Sequence, residues 1–276
     1  MGTDMTKGRP LPVLLRFTIP LLLGNLFQQF YNMADTISVG RYVGAGALAA
    51  VGSTGSINFL IVGFCIGVCS GFSIPVAQSF GSKSFEDLRR FVGNILWLAV
   101  GFSLLFTVAT VALCRPILEW MDTPADIIDG AYHSIVVIFL GIPTIILYNA
   151  LASLLRALGD SRTPVVFLVV ASLLNIALDL FLILVIPMGV AGAAWATVIS
   201  QGISGLACLG FIWKKVPALH IARDDLRLRG FYLRRLLGMG VPMGLQTSIT
   251  AIGSILLQAS VNGTGSVAVG SVKAAN

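Results

Sequence analysis

The chain has 276 residues, of which 56% are hydrophobic and only 11% charged, and its mean hydropathy is +0.91. A water-soluble domain carries about a quarter charged residues, so this composition excludes an ordinary cytosolic enzyme and a disordered chain alike. The net charge of +6 sits in short connectors, which points to membrane topology, with the lipid bilayer as partner and no nucleic acid.

A bilayer-crossing helix needs roughly 20 apolar residues. Hydropathy predicts seven such spans: Leu14–Val39, Leu48–Phe80, Phe91–Leu113, Ile127–Leu155, Val165–Ile186, Val190–Trp213 and Leu236–Val261, with a stub from Ser266 to Asn276. The second and fourth are long enough to need tilt. The polar start, Met1–Pro10, runs into the first span with no small-residue cleavage site, so no cleavable signal peptide is expected.

Placing the N-terminus in the cytoplasm puts fifteen Lys and Arg inside. These are Lys7, Arg9, Arg16, Lys83, Arg89, Arg90, Arg156 and Arg162, then Lys214, Lys215, Arg223, Arg227, Arg229, Arg234 and Arg235 of the sixth connector. Only Arg41 and Arg115 fall outside, where Glu119, Asp122, Asp126 and Asp129 make an acidic connector. The asymmetry predicts an N-in, multi-pass protein of the cell membrane.

Leu14–Gly24, with Pro20, has an echo in Leu236–Gly244, with Pro242. Gly44–Ala49 is echoed less closely by Gly263–Ala268. The spacing implies a six-span repeat in which both copies enter the membrane in the same direction. The expected organisation is a six-helix lobe over 1–213, a basic cytoplasmic connector over 214–235, and the start of a second lobe over 236–276. The chain would then be part of a roughly twelve-span protein.

Two carboxylates, Asp35 and Asp179, lie deep in apolar segments, where a charge is costly and is retained for a purpose. Neither has a Lys or Arg at helical spacing in its own span, so a mobile cation or proton is the simplest partner. Gln28, Tyr31, Asn32 and Asp35 recur at i, i+3, i+4 and i+7 and form one polar stripe. Asn175 precedes Asp179 by one turn, and Thr197, Gln201 and Ser204 share a face of the sixth span. Such oxygen donors suit Na⁺, and a carboxylate with a raised pKa suits H⁺.

Pro20 and Pro242 are expected to bend the first span of each repeat, with Pro20 a candidate hinge; Pro75, Pro143 and Pro187 are weaker cases. Cys65, Cys69, Cys114 and Cys208 read as buried or lipid-facing thiols, and no metal set accompanies them. No nucleophile-and-base pair or His-Glu-x-x-His motif occurs, so no enzyme is expected.

The sequence resembles the multidrug and toxic compound extrusion (MATE) transporters at these residues. The match runs through Ile19-Pro-Leu, Tyr31-Asn-Met-Ala-Asp35, Val39–Gly52, Leu155–Pro164, Asn175-Ile-Ala-Leu-Asp179 and Gly189–Thr197, and so covers essentially the whole chain. The resemblance implies an all-α polytopic fold of two six-helix lobes, this chain being the first lobe and the first helix of the second. It also implies a secondary antiporter that exports organic, often cationic, compounds in exchange for Na⁺ or H⁺, with no cofactor beyond the transported ion. In the branch similar to the DNA-damage-inducible transporters, the coupling site corresponds to Asp35, Asn175, Asp179 and Thr197. Gln28, Tyr31, Asn32 and Gln201 are candidate cavity residues. A glutamate found on the seventh helix of the norfloxacin-exporter branch is replaced here by Thr250, so the coupling chemistry is expected in the first lobe. The alternative is a flippase of lipid-linked oligosaccharides or cell-wall precursors. Its pyrophosphate cargo calls for buried Arg or Lys, and no basic residue lies mid-span. The substrate, the choice between Na⁺ and H⁺, and the oligomeric state are not specified by the sequence.

Overall fold

A computed structural model describes residues 10–42, 45–120 and 128–263; within these helices some side chains, Tyr31 and Asp35 among them, lie outside the described residues. Every regular element described is helical: α1 (Pro10–Tyr42), α2 (Ala45–Gly81), α3 (Phe85–Trp120), α4 (Ile128–Leu140), α5 (Ile142–Ala157), α6 (Arg162–Leu180), α7 (Val190–Lys215) and α8 (Gly230–Gly263). Helices dominate because hydrocarbon offers backbone N–H and C=O groups no partner outside their own segment.

Five described helical stretches are long and apolar enough to cross a membrane, and α4 with α5 makes a sixth, bent by 44°. Their outer faces are those of a lipid-solvated bundle. On α3, Val100, Leu104, Leu105 and Val108 are each 60% or more exposed along one side. The helices overrun the hydropathy boundaries, α8 by six residues at its start, because their polar ends stay helical beyond the apolar stretch.

The prolines behave unequally. Pro20 and Pro242 lie inside the continuous helices α1 and α8, whereas the main break falls at Gly141-Ile-Pro143. Pro143 cannot donate to the carbonyl four residues back, so the ladder is interrupted. The amide of Gly141 closes onto Val137 and Ile138, and the Thr144 amide and hydroxyl both donate to the Gly141 carbonyl, at 3.0 and 2.8 Å. A side chain at Gly141 would run into Val198 of α7, so the break also lets α4 and α5 seat against α7.

Among the described residues, two large apolar clusters and a smaller one of Val137, Ala194 and Val198 hold the bundle. One large cluster gathers Val76, Leu88, Phe91, Leu155 and Leu236; the other gathers Cys65, Cys69, Cys114, Leu118, Phe139 and Ile142. All four cysteines are free and buried. The α2–α8 contact is a backbone-to-backbone seam. A Cβ on Gly71 would lie 2.6 Å from the Gly240 Cα, and one on Gly67 would lie 2.8 Å from the Gly244 Cα. Such close approach is the use of small residues between membrane helices.

The connector 216–229 forms two 3₁₀ turns, Pro217–Leu219 and Arg223–Leu226, and docks on α3. Trp97 Nε1 donates to the Leu226 carbonyl at 2.9 Å, the Arg229 amide donates to Asn94 Oδ1 at 3.3 Å, and Arg89 pairs with Asp225 at 3.5 Å. Gly93 is required beneath it, because a Cβ there would collide with the Asp225 carbonyl. Residues 264–268, part of the second repeat echo, and the acidic positions Asp122 and Asp126 lie outside the described residues.

Candidate functional site

The polar residues of α6 and α7 meet inside the bundle. Helix α6 starts where Asp160, not Ser161, caps it: Asp160 Oδ1 accepts from the Arg162 and Thr163 amides at 3.1 and 3.0 Å, and Oδ2 accepts from the Thr163 hydroxyl at 2.6 Å. Gly159, at φ 81°, supplies the left-handed turn that joins α5 to this cap. From that start the 3.6-residue period puts Ser172, Asn175 and Asp179 on the buried face.

Asp179 has no exposed surface and Asn175 only 1%. Asn175 Nδ2 donates to Thr197 Oγ1 of α7 at 3.2 Å, and the Thr197 hydroxyl donates to the Ala193 carbonyl at 3.2 Å. The amide oxygen of Asn175 is sheltered and has no hydrogen-bond partner among the described residues, and the same holds for Gln201 Oε1, one turn beyond Thr197. Buried amide oxygens normally find donors. The Asn175 oxygen, one turn before the buried Asp179 carboxylate, adds to a cluster of oxygen acceptors whose chemistry suits a cation better than an anion.

Immediately after Asp179 the helix widens into a π turn, Phe181–Val185. Gly189, at φ 60°, turns the chain into α7, where Gly192 comes so close that a Cβ would stand 3.2 Å from the Leu182 carbonyl. The tight turn locks the register of α6 against α7, which sets the Asn175–Thr197 contact. π turns recur at functional positions in other helices.

Of the stripe expected on α1, Gln28 is half-buried. Asn32 is exposed, with its side chain 3.4 Å from Gln29 Oε1. The side chains of Tyr31 and Asp35 lie outside the described residues. Pro20 is half-buried within α1. Helix α1 nevertheless approaches α6 closely, since a Cβ on Gly24 would stand 3.0 Å from Val165.

This fold recurs in known proteins. The MatE family pattern matches residues 20–181, more than half of the chain. The chain belongs to the MATE family. It is 31% identical over 263 residues to the probable multidrug resistance protein YpnP of Bacillus subtilis, covering 95% of this chain and 58% of that one. It is 26% identical over 268 residues to DNA damage-inducible protein F of Escherichia coli, covering 94% and 57%. A solved MOP superfamily transporter from Pyrococcus furiosus superposes on all of this chain and 62% of its own, with a TM-score of 0.91 at 25% identity. The chain thus spans somewhat more than half the length of these MATE-family relatives.

Two features went unread in the sequence. The π turn is hidden in an uninterrupted apolar run, Leu180–Ile186; its one outward sign is the Pro187-Met-Gly189 that follows. The α2–α8 seam does have a signal, glycines at four-residue spacing at positions 63, 67 and 71 and again at 240 and 244. Nothing in either run names the other as its partner.

Proposed function

We propose that the protein carrying this MATE-family chain is a secondary active antiporter, exporting organic and often cationic compounds in exchange for Na⁺ or H⁺. The observation that carries this reading is the fully buried Asp179 beside the Asn175–Thr197 pair and the open amide oxygen of Asn175. In the proposed site, Asp179 anchors the driving ion, while Asn175 and Thr197 supply neutral oxygens. Asp35 is the second titratable group. Gln28, Tyr31, Asn32 and Gln201 line the substrate path, and Pro20 is the hinge of α1.

Backbone geometry supports bringing the two aspartates to within about one helical turn of each other in depth. The first and fifth spans run in the same direction, and Gly24 meets Val165. Asp35 lies eleven residues beyond Gly24 and Asp179 fourteen beyond Val165, or about 16 and about 21 Å along their helices. The proposed organisation keeps the first lobe over 1–213, the connector over 214–235 and the second lobe from 236. The N-terminus lies in the cytoplasm, as the basic connectors require. The flippase reading gains no support from the described spans. Arg156 is the basic residue most enclosed there, and it stands in the last turn of α5, bonded to Ser153 at 2.8 Å.

The test is transport by the whole protein in sealed vesicles, with Na⁺ and H⁺ gradients imposed one at a time. Export of a cationic dye should follow one gradient and collapse with it. Export indifferent to both gradients contradicts antiport.

A further inference from the structure

We propose that the cleft at the start of α8, between Phe231 and the Arg234–Arg235 pair, binds the phosphate headgroup of an anionic phospholipid. The cleft is a groove open on its outer side, offering ≈ 660 Å³ and lined by Gly230, Phe231, Arg234, Arg235, Gly238 and Met239. Gly230 and Gly238 leave it open, since nothing lies within 4 Å of where a Cβ on either would stand.

Charge decides the occupant. Every described carboxylate at this end of the molecule is already engaged. Glu86 pairs with Arg90, Asp224 with Arg227 at 3.4 Å, and Asp225 with Arg89 and the Ala222 amide. Asp87 accepts from Ser84 at 2.8 Å and from Tyr232 at 2.7 Å, and Asp160 caps α6. Arg234 makes no ion pair among the described residues, and Arg235 donates to the neutral Gln78 Oε1 at 3.0 Å. The Asp87 carboxylate, held by Tyr232 and Ser84, acts on Arg235 from a distance without pairing with it. The cleft therefore presents two guanidinium groups that make no ion pair among the described residues, and guanidinium forks match phosphate oxygens.

Depth narrows the choice to a lipid. Phe231, on the cleft wall, is 65% exposed; Leu228 and Trp213, at the same end, are 58% and 76% exposed. Such side chains are stable in the interfacial layer, where aromatic rings and snorkelling arginines collect. A cleft with an apolar wall and a cationic floor at that level matches the boundary between acyl chain and phosphate. It is also held rigidly. Tyr232, next to Phe231, is buried edge-on against Phe91 with centroids 4.8 Å apart and is tied to Asp87. Neither argument needs the antiport reading, only a membrane-spanning chain.

The test uses the whole protein purified in neutral detergent, with bound lipid counted by native mass spectrometry during titration with phosphatidylglycerol or phosphatidylcholine. Phosphatidylglycerol should be retained selectively. Arg234→Gln with Arg235→Gln should weaken retention roughly fivefold per arginine. Gly238→Trp, which fills the cleft and keeps both arginines, should abolish it. Lys214→Gln should leave it unchanged. Equal retention of the two lipids overturns the proposal, as does undiminished retention in both cleft variants. Displacement of the lipid by excess inorganic phosphate assigns the site to free phosphate and overturns the lipid claim. Absence of any retained phosphatidylglycerol in the unmodified protein means that another part of the protein fills the cleft, and it overturns the proposal equally.

Discussion

The α2–α8 pair and the α6–α7 pair are both buried helix contacts, built from different residues for different ends. In the first, Gly67 and Gly71 meet Gly240 and Gly244 so closely that backbones touch. The cross-helix polar bonds described there are the Ser248 hydroxyl donating to the Leu60 carbonyl at 3.3 Å and, toward the end of α2, Arg235 donating to Gln78 Oε1 at 3.0 Å. In the second, the buried Asn175 and Asp179 and the half-buried Thr197 and Gln201 fill the contact, and two amide oxygens have no donor among the described residues. Dispersion between backbones is enough to make helices adhere in a membrane. Leaving buried acceptors unmet costs about 1–3 kcal/mol each, so the α6–α7 pair gives up stability that the glycine seam of α2 and α8 keeps; α2 itself carries one such acceptor, Asn58 Oδ1. Sites that violate packing rules in this way are where function is expected.

That contrast can be broken first at the seam. Gly71→Leu should destabilise the protein by about 3 kcal/mol through forced separation of backbones, read as loss of monodisperse protein and a lowered Tm. Gly101→Ala, on α3 with open space around it, should be neutral or slightly stabilising in the same assay. Tolerance of Gly71→Leu would mean the seam is not a tight contact.

A smaller effect is expected at the polar pair. Thr197→Val leaves the Asn175 amide without its acceptor and should cost about 1.5 kcal/mol. It should weaken driving-ion affinity roughly tenfold by the same principle, while Thr197→Ser should restore it. Equal behaviour of Val and Ser would reduce Thr197 to a packing residue. The smallest effect belongs to the connector. Trp97→Phe removes one hydrogen bond to the Leu226 carbonyl and should cost about 1 kcal/mol, with transport unchanged. A loss of transport there would show that connector docking takes part in the conformational cycle.

What was legible in the sequence follows from the range of the forces involved. Spans are local, so hydropathy located the first six, whereas the seventh, on α8, is not among the described stretches apolar enough to cross a membrane; the Asn175–Asp179 spacing was readable as one helix face. The break at Gly141 was underestimated because Pro143 looks like Pro20 in a linear string. The difference lies in how Gly141 seats against Val198, 57 residues away. The seven basic residues of the connector read only as a topology marker. Its docking depends on Gly93, Asn94 and Trp97, about 130 positions earlier, which no local pattern relates to Leu226. The Asn175–Thr197 contact was implied by family resemblance; the geometry that produces it, a π turn followed by a glycine-locked reversal, was not legible.

The central claim is that buried carboxylates of the first lobe couple ion to substrate. Asn keeps the size of Asp and removes its charge, so Asp35→Asn and Asp179→Asn test titration without altering packing. The measurement is gradient-driven export by the whole protein in sealed vesicles, at matched expression and matched Tm. The account predicts that either substitution abolishes export under the gradient that drives the unmodified protein. Unchanged, gradient-dependent export in both single variants would place the coupling site elsewhere and contradict it.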